Sequence, residues 1–188
     1  MKKIFILLII FISFNVSAAM AQTAEEKMTK EKETHSAMTV KYDLAYPGLL
    51  PDNPLYKLKI LRDKITASFI NDPNKKVDFY LLQADKGILA AAMLIDKNKF
   101  ELAQQTLLKA ENNLTLITQQ FGRFTQKPGS QFFQKLRTAS KKHQEVIGKL
   151  IARIPRENRK TFEDVLWFSK RNLMSIDEFE KKAQQLYP

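Results

Sequence analysis

Cysteine is absent from the 188 residues, and glycine and histidine are scarce, at five and two. Without cysteine there is no disulfide framework, no thiolate nucleophile and no anchor point for a lipid. The glycines never cluster, so no loop can cradle a phosphate through its backbone amides. No Gly-x-Ser-x-Gly turn presents a serine either. His35 and His143 stand 108 positions apart with no His-Glu-x-x-His, which does not make a zinc site. Alternating apolar–polar runs are missing as well, so no strand is expected. The sequence therefore reads as a non-enzyme, with no catalytic group, cofactor or metal ligand assigned.

What the chain does have begins at its first residues. Lys2 and Lys3 precede an apolar run from Ile4 to Val16, followed by Ala19-Met20-Ala21. A positive start, a short apolar core and a small-x-small site form an export signal, here over residues 1–21. The run of 13 residues is short of the roughly 20 a spanning helix needs. Cleavage after Ala21 leaves no transmembrane span; retention as an anchor is the alternative. Either way the protein is expected to be exported: secreted, periplasmic or associated with the cell envelope. Residues 22–45 are highly charged and poor in large apolar groups, and so read as a disordered tether.

From residue 46 onward apolar residues recur at helical spacing. Asn53 as N-cap and Pro54 at the first helical position are expected to start a helix of about 17 residues, with Leu58, Leu61, Ile65 and Phe69 as its buried stripe. Asp72-Pro73 repeats the device. Val77, Leu81, Ala84, Ile88, Ala91 and Ile95 then step by four and three. After Asp96-Lys97-Asn98 the seam resumes at Phe100, Ala103, Leu107, Ala110, Leu114, Ile117, Phe121 and Phe124. Two such seams on so short a connector fold back into an antiparallel hairpin, roughly 35–40 Å long at helical rise.

Lys127-Pro128-Gly129 breaks the pattern, and Ser130 is expected to cap the next helix. Its stripe is Phe133, Leu136, Ser140, His143, Ile147, Leu150 and Ile154, widened by Phe132 and Val146. His143 thus falls on or beside the buried seam, as a core residue with one bonded nitrogen, a pH-responsive group or a ligand. Pro155 ends this helix. A fifth helix turns Phe162, Leu166 and Leu173 inward, with Trp167 and Phe168 beside them. Ser175 and Glu178 form a capping box that is expected to open a short last helix through Ile176, Phe179, Ala183 and Leu186. The carboxylates of Asp78, Asp85, Glu163 and Asp164 are read as outward and solvated. The fold class is all-α: one domain over 46–188, a bundle of about five to six helices around a long central hairpin.

Charge divides the chain. Removing Lys2 and Lys3 takes the formal charge from +11 to +9. Residues 22–126 are nearly balanced, at 15 basic and 13 acidic groups, whereas residues 127–188 carry 14 and 7. Lys135, Lys142, Lys149, Arg153 and Arg156 fall near one stripe away from the seam, and are the candidate basic contact surface. Export removes nucleic acid from the expected partners. An unidentified protein or an anionic envelope component remains.

The segment Leu50-Pro51-Asp52-Asn53-Pro54-Leu55-Tyr56-Lys57-Leu58-Lys59, with Asp72-Pro73 and the seam from Val77 to about Ile117 in register behind it, resembles a family of domains of unknown function. Those domains occur in exported bacterial and archaeal proteins, open with Leu-Pro-Asp-x-Pro-x-Tyr-x-Leu-Lys and continue into an Ala-rich helical hairpin. The resemblance covers about residues 46–118, taking 46–124 as the family-like part and 128–188 as basic C-terminal helices. It departs at Asp85-Lys86-Gly87, where the family has a Glu-Arg-rich stretch. It implies the fold and export, and no functional residue. The chain is also similar to small exported envelope-stress chaperones, although Thr118 stands where their Leu-Thr-x-x-Gln signature has Gln. Three functions are expected in order: a non-enzymatic interaction or structural module of the envelope or exterior; a holdase-type chaperone using apolar bundle surface, prompted by six Met and thirteen Phe; and an enzyme with an unrecognised site.

Overall fold

Asp72 and Pro73 show how local chemistry sets the architecture. The Asp72 carboxylate accepts from the Lys75 amide at 2.8 Å, and Pro73 is the first helical residue, where a missing N–H costs nothing. The structure, a computed structural model, describes residues 39–186. It contains five α-helices and, among the described residues, no strand: α1 (Tyr56–Phe69), α2 (Pro73–Ile95), α3 (Phe100–Gln120), α4 (Ser130–Arg153) and α5 (Arg159–Leu186).

The expected hairpin is α2 and α3. Its turn is a Schellman-type cap, in which the Lys99 amide reaches the Leu94 carbonyl at 2.9 Å and the Asn98 amide reaches Ile95 at 2.9 Å. Asn98 takes the left-handed conformation this cap needs, with φ 57. The two helices cross so closely at Gly87 that a Cβ there would stand 2.6 Å from the Ala110 Cβ. Helices α4 and α5 complete the bundle. The predicted seam residues of α2, α3 and α4 are buried, apart from a half-buried Phe100.

The core comes in two apolar halves. One gathers Val77, Leu81, Leu114, Ile117, Leu136 and Ile176 beside a knot of aromatic rings, where Phe121 stacks on Phe179 at 4.2 Å. The other joins Ile88, Leu94, Leu107, Ile147, Leu150 and Phe162.

Several boundaries differ from expectation. Asn53 does not cap α1. Its side chain instead accepts from the Leu55 amide two residues on, closing a turn that delays the helix to Tyr56. The stripe of α1 is not buried: Leu58, Leu61, Ile65 and Phe69 are 65%, 56%, 49% and 79% exposed. The inward face holds Tyr56, Ile60, Asp63 and Ala67, all half-buried. Gly129, not Ser130, is the N-cap of α4. No short sixth helix begins at Ser175, because Arg159–Leu186 contains neither Pro nor Gly to break it; the Ser175 hydroxyl donates back to Arg171 O. The tether expected to run to residue 45 already packs from Val40, whose amide donates to Glu145 at 2.9 Å. Residues 1–21 and most of the tether lie outside the described residues.

Candidate functional site

Between the two apolar halves lies a layer of polar side chains, and it holds the described histidine. His143 comes from α4, Asp85 from α2 and Glu111 from α3. Each sits three or four residues from seam residues on its own helix, so each is carried into the interior. His143 and Glu111 have no exposed surface and Asp85 has 5%. His143 Nε2 lies within hydrogen-bond distance of Asp85 Oδ1, at 2.8 Å, and Nδ1 of Glu111 Oε1, at 3.1 Å. Two carboxylates facing both nitrogens match a ring with two N–H donors, the imidazolium. Burial alone would push the ring's pKa down; the hydrogen bonds and charges of Asp85 and Glu111 outweigh it and raise it to about 9.

The layer extends at both ends. Tyr42, from the segment before α1, donates its hydroxyl to Asp85 Oδ2 at 2.7 Å. Burial and that hydrogen bond hold the phenol well above its usual range. Asn172 of α5 donates to the Glu111 backbone carbonyl at 2.9 Å and accepts from Thr115 at the same distance. Four helices and the lead-in segment thus meet in one connected set of bonds. Asp85 and Glu111 bind opposite sides of the ring and do not converge, and no group of three or more His, Asp or Glu among the described residues is placed to hold a metal ion. Both ring nitrogens are bonded and the ring is enclosed, whereas Glu111 Oε2 is buried without a hydrogen-bond partner.

Asp85 is not the outward carboxylate expected from the sequence: it stands four residues after Leu81 and three before Ile88, at seam spacing, and is buried. Glu111 holds the same relation to Leu107 and Leu114. Charged residues at core spacing on three helices, one of them His, were the available signal. His143 also bonds through both nitrogens and not one.

On α4 the basic residues share a face, and most are already engaged. Lys135 pairs with Asp78 at 2.8 Å, Lys142 and Lys149 flank Glu145, and Arg153 pairs with Asp96. Lys142 also donates to Val40 O. The Lys149 ammonium, the Val40 amide and Lys142 hold the Glu145 carboxyl down at about 2. Arg156 is exposed in the turn after Pro155.

Helix α1 presents the other surface. It is tied down by polar contacts at its two ends and buries no side chain. At its start, Asp52 accepts from Lys97 and Lys99 at the hairpin tip, at 3.0 and 2.9 Å, which holds its carboxyl down at about 2. Lys59 donates to Pro47 O at 2.7 Å and to Leu49 O at 3.3 Å. At its end, Lys76 donates to the Ala67 and Ile70 carbonyls. Beneath it, cavities of about 100 and 360 Å3 have mixed linings that share Ile60, Asp63, Gln83 and Asn113. The opening motif therefore acts as a clamp: its Asp and final Lys fasten α1 without using the apolar stripe. No helix among the described residues is long and apolar enough to cross a membrane.

A family model described as a domain of unknown function, DUF5667, matches residues 48–157, and the chain belongs to that family. The match begins at the opening motif and runs beyond the hairpin, through α4 to Glu157. No curated protein and no solved structure gives a significant match.

Proposed function

We propose that the protein is a non-enzymatic, exported interaction module of the cell envelope or exterior, whose bundle presents α1 to an anionic partner. One observation carries this reading: an apolar stripe lies open on a helix fastened by charged side chains at its ends, while the titratable cluster is sealed inside. The composition of residues 1–21 supports export. The basic residues Lys135, Lys142, Lys149, Arg153 and Arg156 contribute a long-range positive field more than a free contact surface, because intramolecular carboxylates occupy the first four.

Retention of the full chain on an isolated envelope fraction, read at rising salt, tests the interaction. Binding is expected to weaken with salt and to fall in Leu61→Glu; retention indifferent to both removes the reading. A mature N-terminus at Gln22 outside the cytosol is the result export requires. The exposed stripe also favours a second reading as a holdase. That reading requires stoichiometric suppression of a client's aggregation, and no effect at excess eliminates it.

A further inference from the structure

We infer that the outer face of α1 docks on an anionic lipid bilayer, lying in the interface with its axis along the membrane plane; this rests on the interaction reading above. Around the helix, Leu58, Leu61, Ile65 and Phe69 form one stripe, with exposed Lys57 and Lys64 along one border and Arg62, which pairs with Asp63 at 2.7 Å, along the other. Asp63, the acidic residue of α1, points inward and is half-buried. An apolar stripe bordered by lysines is what an interfacial helix needs: the side chains enter the acyl boundary while Lys57 and Lys64 meet lipid phosphates. The 14 residues give about 21 Å of contact, too short to span and long enough to lie flat.

The surface continues past the start of the helix. A groove of about 520 Å3 runs between the turn and α1, lined by Tyr46, Leu49, Leu55 and Leu58, with Arg62 and Lys86 among its walls. It offers apolar contact next to positive charge, as an anionic lipid does in reverse. A second copy fits this face poorly. Two-fold pairing would set Lys57, Arg62 and Lys64 against their own equivalents with no outward carboxylate on α1 between them. The polar clamp at both ends of α1 keeps the stripe displayed without help from a partner.

The chain lacks cysteine, so a single reporter can be placed at will. Full-length Leu61→Cys carrying an environment-sensitive fluorophore is mixed with vesicles of phosphatidylcholine containing about one-third phosphatidylglycerol. The emission should rise several-fold and shift to the blue. It should do so far less with phosphatidylcholine alone, and it should fall with salt. The same label in Lys149→Cys, on α4, should stay aqueous. Leu61→Glu/Ile65→Glu should weaken vesicle binding by roughly tenfold or more, with unchanged helix content by circular dichroism. Three outcomes overturn the inference. A response at position 149 without one at 61 moves the docking face to α4. A response at 61 that needs protein concentration and no vesicles makes the occupant a second copy. Silence at both positions, with envelope-fraction retention still lost in Leu61→Glu, makes it an acidic protein and leaves the interaction reading standing.

Discussion

In α4, Phe133, Leu136, Ser140, His143, Ile147 and Leu150 step by three and four and are all buried; in α1, Leu58, Leu61, Ile65 and Phe69 step the same way and stay open. The difference lies in what each helix has to pack against. Helix α4 meets α2, α3 and α5, and its one ionisable stripe residue finds a carboxylate on each side. Helix α1 lies over the hairpin across a mixed surface of Gln83, Gly87, Ala90, Ala110 and Asn113, and it turns Tyr56, Ile60 and Asp63 toward them. Periodicity says that a face exists. It does not say that the protein covers it.

That contrast can be broken most forcefully at His143. His143→Ala leaves Asp85 and Glu111 buried without their shared partner, and should cost about 3–5 kcal/mol in urea unfolding. Ile147→Ala should cost about 2–5 kcal/mol, since it opens a cavity in the second apolar half. Gly87→Ala forces a methyl against Ala110 and should cost about 1–3 kcal/mol; a neutral result would mean that the two hairpin helices separate freely. Across pH the same layer leaves a signature. The His143 pKa is higher folded than unfolded, so its contribution to stability is complete below pH 6.5 and is lost as pH rises through about 9. Unfolding midpoints over that range should decline in the parent chain and decline less in His143→Ala. The smallest effect belongs to α1. Ile65→Ala should change stability by no more than about 0.5 kcal/mol, because Ile65 is 49% exposed and little burial is lost.

The sequence made the hairpin legible because its signals agree. Asp72 caps, Pro73 opens, two seams run in opposite phase, and Asn98 supplies the turn. Pro155 marked the end of α4 equally well. Ser175 and Glu178 misled because a capping box stabilises a helix start without creating one, and no breaker stands nearby. The polar layer was hidden by a rule that sends charge outward. That rule fails when an Asp, a Glu and a His from three helices can satisfy one another, and no single helix reveals the coincidence. The exposure of α1 was out of reach for a related reason: Asn53, Asp52 and Lys59 fix its placement through turns and carbonyl contacts that leave no trace in hydrophobic spacing.

One double variant tests whether the stripe on α1 is surplus to the fold and free to bind. Urea unfolding of Leu61→Glu/Ile65→Glu should give the parent's midpoint within about 0.5 kcal/mol, while its binding to anionic vesicles is lost. A midpoint lowered by several kcal/mol would show that those side chains are buried in the folded protein, and would contradict the account.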